Sequence, residues 1–293
     1  MGGFRGGVRG ARIEDHAAFV ALFPELGVDD PIPDAERFGR ELLPNAVVAI
    51  RDGGETVGFG SYRVLGTTAH VVHVITSPTA RREGVGTAIM RAIGERVAAA
   101  GCTDWYLNTF PTNEPAKALY ASLGFTPSFL SQALVVPWSI ADTHRTPKTI
   151  VIRAFDPPEE RAIERACSLF EGQLATARSF SGRILRVLVE HEDLQNETVS
   201  GVACFDPTFP GVHPFRVARA DLAIPMLAAL RPHARPSDER VHVVVENRND
   251  IADTLLAAGA TLRLTTLRMN ATLPMPMPVP VPTTTTTTMK PRS

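Results

Sequence analysis

The sequence contains little cysteine, almost no net charge and no long apolar run. Its three cysteines, Cys102, Cys167 and Cys204, form no C-x-x-C pair, which argues against a zinc or other metal site and favours reduced thiols in a cytoplasmic protein. The formal net charge is -1 at pH 7, so no basic excess points to nucleic acid as a partner. No run of about 18 apolar residues occurs, so no membrane span or membrane partner is expected.

Both ends of the sequence lack the pattern of a folded segment. Residues 1 to about 8 are rich in glycine, without the apolar core of a signal peptide, and are predicted to be loose. Residues 274–293 alternate proline with methionine and valine and then contain six consecutive threonines. Nothing there can bury a core, which predicts a disordered tail. The length between the two ends is ample for two domains of about 150 residues.

The first half of the chain alternates helical and strand patterns. Apolar spacing predicts two N-terminal helices, over 13–26 and from about 34 to 43. The segments that follow are predicted in this order: strands at 46–51 and 56–65, a strand at 71–76, a helix at 84–100, a strand at 104–109, a short helix between Asn113 and Gly124, and a strand at 129–136. This order predicts an α/β fold (α+β) with a mixed sheet and helices on both faces.

One short loop in this half has the composition of a phosphate site. The β-branched segment 71–76 predicts a buried strand. The loop 81–86 follows, with two arginines and two glycines, and a helix begins at once. The first N–H groups of a helix have no partners within it, and the helix dipole favours an anion there. The combination predicts a cradle for the pyrophosphate of a nucleotide-type cofactor.

The loop lacks both the G-x-G-x-x-G and the G-K-[ST] phosphate patterns. It contains R-x-x-G-x-G, formed by Arg81, Gly84 and Gly86, which resembles the acyl-CoA loop of the GNAT superfamily of N-acetyltransferases. One helix and one strand later, Asn113-x-x-Ala116-x-x-Leu119-Tyr120-x-x-x-Gly124-Phe125 is similar to that family's N-x-x-A-x-x-L-Y-x-x-x-G-F helix. Because the motifs also stand at the family's separation, residues 1–136 are identified as an active GNAT domain.

The resemblance implies acetyl-CoA as the cosubstrate and assigns residues to it. Backbone groups of Val74, Ile75 and Thr76 would polarise the thioester carbonyl and pair with the pantetheine arm. The pyrophosphate would lie on the loop residues Arg81, Arg82, Gly84, Val85, Gly86 and Thr87. At 3.6 residues per turn, Asn113, Lys117 and Tyr120 lie within about 40–60° of each other on one helix face. In this family that face borders the thioester, although Lys117 also fits a solvated side chain.

The resemblance further implies direct attack of a free amine on the thioester, without an acyl-enzyme. Tyr120 matches the family's acid, which protonates the departing thiolate. The amine must lose a proton to a base or to a water chain. No carboxylate lies between Thr67 and Ser77, so His70 and His73 are the candidate bases beside water. Because they are three residues apart, they are predicted to point to opposite faces of the strand, so at most one reaches the cleft.

The acceptor is predicted to be the primary amine of a small molecule. In the family, the loop between the first two helices lines the acceptor site. Here that loop carries Glu25, Asp29, Asp30 and Asp34, which either favour a cationic amine or form only a solvated acidic loop. Two alternatives stay open: acetylation of a protein lysine or N-terminal amine, and a non-catalytic acyl-CoA-binding protein. Retention of Tyr120 argues against the second.

Residues 149–273 repeat the order of elements after a linker at 137–148. Asn249-x-x-Ala252-x-x-Leu255-Leu256 echoes the Asn113 helix, but Leu256 stands where the first half has Tyr120. The segment 211–219, expected to be the loop before the central helix, has no R-x-x-G-x-G.

The pattern resembles the inactive half of tandem GNAT proteins. It implies a degenerate GNAT-like domain that replaces a dimer partner and walls one side of the acceptor site. The protein would then be a monomer that forms a pseudo-dimer, or a homodimer. The alternative is a second, altered acyl-CoA site that uses His213.

Overall fold

One twelve-stranded mixed sheet runs through the protein. The structure is a computed structural model that describes residues 3–142, 145–191 and 197–273. The predicted tail at 274–293 lies outside these residues. The strands are β1 (Gly6–Gly10), β2 (Ala46–Arg51), β3 (Thr56–Leu65), β4 (Thr68–Thr76), β5 (Asp104–Thr109), β6 (Thr126–Pro137), β7 (Ile150–Arg153), β8 (Ile184–His191), β9 (Glu197–Asp206), β10 (Gly211–Val217), β11 (Arg240–Glu246) and β12 (Thr261–Thr272). Their order in the sheet is β1-β2-β3-β4-β5-β12-β6-β11-β10-β9-β8-β7.

Helices cover both faces of this sheet, as the order of elements predicted. They are α1 (His16–Leu22), α2 (Ala35–Arg37), α3 (Val85–Ala99), α4 (Glu114–Ser122), α5 (Ser139–Asp142), α6 (Glu160–Ala166), α7 (Gln173–Ser179), α8 (Ala223–Leu230) and α9 (Asn249–Ala257). Short 3-10 turns flank α1, and a π-helical turn continues α2. Within the described ranges, no helix is long and apolar enough to cross a membrane.

The glycine-rich N-terminus is not loose throughout, contrary to the sequence-based prediction. Strand β1 pairs antiparallel with β2, from Gly6 opposite Arg51 to Gly10 opposite Val47. A Cβ at Gly6 would lie 2.1 Å from the Ile50 carbonyl oxygen, so the two backbones meet at a distance only glycine allows. The glycines thus add an edge strand to the sheet.

Helix α3 packs closely on the first half of the sheet. Val85, Ile89, Ile93 and Val97 form its buried face, as their spacing predicted. A Cβ at Gly60 of β3 would lie 2.4 Å from the side chain of Ile89. The glycine therefore allows close contact, which fixes the first turn of α3 near the end of β4.

The two halves of the chain exchange strands at the centre of the sheet. Strand β12, the last in the chain, lies between β5 and β6, with Leu267 opposite Thr109 and Thr265 opposite Gln132. Strand β6 has β12 on one side and β11 on the other, so both of its neighbours come from the second half. The boundary predicted after residue 136 therefore falls within a strand of the joint sheet.

The second half contains a strand where a loop was predicted. Residues Gly211–Val217 form β10, which pairs antiparallel with β9 and, at its start, parallel with β11. The prediction failed because His213 and Pro214 interrupt the apolar pattern. The structure accommodates them in an irregularity between Val212 and Phe215, and pairing on both sides supplies the backbone hydrogen bonds that the local sequence does not indicate.

Candidate functional site

Strands β4 and β5 separate to form a wedge. They pair in parallel only from Thr68 opposite Asp104 to Val71 opposite Leu107. Beyond Val71, β4 continues to Thr76 while still paired with β3 on its other side. The backbone groups of Val74, Ile75 and Thr76 on the β5 side thus face an opening, in which an extended ligand can pair as an added strand does.

The loop of the R-x-x-G-x-G motif turns into α3 at the mouth of this wedge. Gly84 precedes the first helical residue with φ 95°, and Arg82 has φ 67°. A Cβ at Gly84 would meet open space, so glycine is favoured there by the left-handed backbone alone. No side chain among the described residues caps this terminus. The first N–H groups, at Val85, Gly86 and Thr87, are therefore available to an anion.

Charges beside the loop are partly compensated. The Arg81 guanidinium lies 2.5 Å from the Glu25 carboxylate, and Arg51 pairs with Glu83 at 3.0 Å. Arg82 is exposed. Arg81, predicted to add charge for the pyrophosphate, thus also ties the loop to the segment after α1.

Helix α4 and its N-cap residue present Asn113, Ala116 and Tyr120 to the wedge. Lys117 does not face it. The Asn113 side chain caps the helix by accepting a hydrogen bond from the Ala116 N–H at 3.2 Å. Burial raises the pKa of Tyr120 to about 12, which keeps the phenol protonated at neutral pH. The Lys117 ammonium instead donates to the Pro111 carbonyl at 2.9 Å and to Glu114 at 2.8 Å, and this lysine does not line the cavity.

A cavity of about 540 Å³ lies over the wedge and is lined by both halves. The first half contributes the wedge and α4, including Val72, Val74, Leu107, Asn108, Asn113 and Tyr120. The facing wall belongs to the second half and includes Arg183, Asp206, Phe209, His213, His242 and Arg263. His213, which the sequence analysis considered for a second acyl-CoA site, therefore faces this shared cavity.

Both candidate histidines line this cavity, so the prediction that only one could do so is wrong. The register between β3 and β4 shifts because Ser61 pairs with His73 and Tyr62 with Val71. The bulge at Val72 reverses the side-chain alternation and puts His70 and His73 on one face. A strictly alternating strand would have separated them.

The two histidines have different surroundings. The His70 ring stacks on Tyr106 with centroids 4.4 Å apart, and burial lowers the pKa of His70 well below its usual range. His73 shares a 2.8 Å hydrogen bond between Nδ1 and the Ser61 hydroxyl, next to the ring of Phe23. Burial lowers the pKa of His73 to about 4. Both imidazoles are therefore neutral at pH 7.

The acidic loop does not present free negative charge to the cavity. Glu25 pairs with Arg81, Asp30 with Arg263 at 2.9 Å, and Asp34 caps α2 by accepting from the Arg37 N–H. Asp29 is exposed and does not line the cavity. The pairing with Arg263 of β12 is a long-range contact that the local sequence could not reveal.

The sequence analysis did not identify the cationic residues of the cavity, of which Arg63 and Arg183 matter most. One signal was present, because Arg63 is the only charged residue in the otherwise apolar or small-residue strand β3. Arg183 comes from a distant segment just before β8 and carries no recognisable motif.

The second half contains a corresponding cavity of about 590 Å³ beside β10 and β11. Here an ion pair between Arg216 of β10 and Glu246 of β11 bridges the two strands. Arg268 of β12 lies 3.7 Å from the same carboxylate. The first-half wedge, between β4 and β5, has no such bridge among the described residues.

Comparisons with known proteins agree with this geometry. Residues 15–125 match the sequence model of the Acetyltransferase (GNAT) family. The chain is 28% identical over 134 residues to aminoglycoside N(6')-acetyltransferase type 1 of Klebsiella aerogenes, covering 41% of this chain and 88% of that protein.

Solved structures share the fold over nearly the whole chain. A proposed acetyltransferase from Pyrococcus horikoshii superposes with a TM-score of 0.67 at 15% identity, covering 92% of this chain and 89% of that one. A tandem GNAT protein from the clavulanic acid biosynthesis pathway superposes with a TM-score of 0.58 at 19% identity, covering 89% and 95%. At these identities the matches show the fold.

Proposed function

From the premise that residues 15–125 belong to the GNAT family of acetyltransferases, we propose that this protein acetylates the primary amine of a small molecule. The observation that carries the proposal is that the unpaired edge of β4 at Val74 and the buried Tyr120 line one cavity. The open glycine loop begins α3 beside the end of β4, where Gly86 lies next to Thr76 and Leu119. A volume of about 540 Å³, walled on both sides, suits a small molecule.

We propose that acetyl-CoA binds along the wedge. The open N-terminus of α3 and the left-handed turn at Gly84 fit a pyrophosphate, and the free edge at Val74–Thr76 fits the pantetheine arm. When bound, acetyl-CoA supplies an activated acetyl thioester. The acceptor nitrogen bonds to the acetyl carbon as the carbon–sulfur bond breaks, and Tyr120 gives its proton to the departing sulfur. Lys117 is assigned no role near the thioester, because its ammonium is held by Glu114 and Pro111.

The loop assignment is tested with two matched glycines at opposite ends of α3. Gly84 and Gly101 have φ 95° and 86°, and a Cβ at either meets open space. We expect Gly84→Ala and Gly101→Ala each to lower the free energy of unfolding by about 1 kcal/mol. Only Gly84→Ala is expected to weaken acetyl-CoA binding, by about tenfold or more. Calorimetric titration of acetyl-CoA measures affinity and stoichiometry, and thiol release with an amine panel measures turnover.

An absence of acetyl-CoA binding to the parent protein would contradict the proposal. Equal losses of affinity in the two variants would contradict the loop assignment alone. We expect one acetyl-CoA per chain, because in the second half the Arg216–Glu246 ion pair bridges the strands and Leu256 replaces the tyrosine. On that basis residues 149–273 are proposed to be a degenerate GNAT-like domain, and residues 1–136 the active one.

We propose His70 as the group that receives the amine proton, directly or through water. His73 is held by Ser61 among aromatic rings and is assigned a positioning role. Because the lowered pKa of His70 makes it a weak base, His70→Gln is expected to lower kcat/KM by only about tenfold.

The pH profile tests the same assignment. A histidine with a lowered pKa stays neutral as the pH falls through 6.5, so the acid limb of kcat/KM should follow protonation of the acceptor amine. The measurement is kcat/KM from pH 5.5 to 9 for two acceptors with different amine pKa values. If the acid limb of kcat/KM had its midpoint near pH 6.5 for both acceptors, a histidine with an ordinary pKa would control the rate.

A further inference from the structure

One cation in the cavity has no anionic partner. Arg63 projects from β3 into the cavity, and no ion pair joins it to a carboxylate in the part of the chain that the structure describes. The other cavity arginines are paired: Arg37 with Glu41, Arg263 with Asp30, and Arg183 with Asp206. Burial and the charge of Arg183 both lower the pKa of Arg63. The guanidinium is thus desolvated without being neutralised.

Arg183 is only partly satisfied. Its Nε lies 3.6 Å from the Asp206 carboxylate, is buried and has no hydrogen-bond partner. Asp206 already accepts from the Thr208 N–H and hydroxyl and from the Phe209 N–H. Asp206 therefore already accepts three hydrogen bonds from its own loop, and the Arg183 guanidinium still has N–H groups free to bind another acceptor.

The guanidinium groups of Arg63 and Arg183 both contact the ring of Phe180. Its ring centroid lies 4.2 Å from the Arg183 guanidinium carbon and 5.7 Å from that of Arg63. Cation–π contacts of this kind position guanidinium groups and leave their N–H edges free. Arg63 belongs to the first half and Arg183 and Phe180 to the second, so the arrangement exists only when both halves are present.

Arg63 and Arg183 are both half-buried. Neighbouring guanidinium groups that are partly desolvated repel each other, and a partly desolvated charge without a counter-ion is unfavourable. A ligand oxyanion would remove both penalties, because guanidinium N–H edges match the oxygens of a carboxylate or phosphate. We propose that Arg63 and Arg183 bind a carboxylate or phosphate of the acceptor, so that the substrate is a primary amine that also carries an oxyanion. This inference rests on the proposed function, because it takes the cavity to hold the amine.

The geometry also predicts which acceptors are disfavoured. An amine with several ammonium groups and no anion would add positive charge beside Arg63, with Asp30 and Glu25 already paired elsewhere. The prediction therefore runs against the cationic acceptor that the acidic loop first suggested.

Matched acceptors test the inference. Leucine is compared with leucinamide, 3-methylbutylamine and the corresponding aminophosphonic acid, and the same four forms are made for alanine. A polyamine, spermidine, completes the panel. We expect kcat/KM to be at least about tenfold higher for the members that carry an oxyanion than for the matched members that lack it, and we expect poor turnover of spermidine. The carboxylate and phosphonate arms distinguish the two oxyanion sources.

Substitution of the two arginines tests whether they cause the preference for anionic acceptors. Arg63→Gln and Arg183→Gln are each expected to raise KM for the anionic acceptor by about 10- to 100-fold, with KM for acetyl-CoA unchanged. The control is Arg91→Gln, which removes an exposed arginine of α3 and should leave both constants unchanged. Arg63→Gln is also expected to unfold at no lower temperature than the parent protein. Anionic acceptors should raise the unfolding temperature of the parent but not of Arg63→Gln.

The outcomes separate the inference from the proposed function. Equal turnover of acids and amides, with Arg63→Gln unchanged, overturns the inference and leaves the acetyltransferase proposal standing. If no amine releases thiol, the proposed function fails, and the thermal shift with acids and amides still decides whether Arg63 binds an oxyanion. An unfolding temperature that falls sharply in Arg63→Gln, with no protection of the parent by any acid, assigns the arginine a structural role instead.

Discussion

Replacing Tyr120 with phenylalanine is expected to lower kcat by about 10²- to 10⁴-fold, the range associated with loss of a general acid. The phenol is buried against Phe125, and its pKa of about 12 keeps the proton on the oxygen throughout any practical assay. Phenylalanine keeps the ring and removes only the hydroxyl group, so the affinity for acetyl-CoA should stay unchanged. Steady-state kinetics and calorimetric titration measure the two quantities separately.

Tyr62→Phe is the matched control. Tyr62 is also buried, its pKa is also raised by burial, and it belongs to the α3 core without lining the cavity. We expect its kcat to stay within about twofold of the parent value. If Tyr120→Phe retained full kcat, protonation of the thiolate would have to come from water, and Tyr120 would be a packing residue.

A chain that ends at Ala260 is expected to lose cooperative folding altogether. It lacks β12, whose ladders join β5 to β6, and it removes Met269, Ala271 and Leu273 from the first-half core. Domains of this kind have only about 5–15 kcal/mol of stability, and losing a central strand with its hydrogen bonds and buried side chains exceeds that margin. Thermal unfolding and size-exclusion chromatography measure the outcome.

A chain that ends at Leu273 keeps all twelve described strands and is the control for that truncation. A second comparison uses residues 1–137 alone, in which β6 has lost both neighbours. That fragment should aggregate by itself. A folded, active fragment of this length would contradict the observed exchange.

The parts of the fold that the sequence predicted have strong local signals. Strand β5 begins and ends as expected, and Asn113 and Gly84 occupy the helix-cap and turn positions that their chemistry predicted. Strand β10 was missed because Pro214 hides its pattern. The exchange of β6 and β12 was missed because pairing between strands far apart in the chain leaves no local trace.

The residues of the candidate site also separate into those with a local sequence signal and those placed by long-range contacts. The loop and the α4 motif are contiguous, so they could be found from spacing alone. The shared face of His70 and His73 depends on a one-residue bulge, which the two-residue period of a strand cannot indicate. The pairing of Asp30 with Arg263 and the nearness of Arg63 to Arg183 depend on assembly of the two halves.

The exchanged strands also constrain how this gene can evolve. After an internal duplication, a copy that loses its own activity is ordinarily free to decay or to be deleted. Here the copy without the glycine loop supplies β12 to the sheet beside β5 and receives β6 in return. Deletion would remove β12 from the sheet of the half that we propose to be active, so selection on the proposed acetylation is expected to preserve both. Substitutions at Met269 or Leu273 should be purged as strictly as those in the first-half core itself.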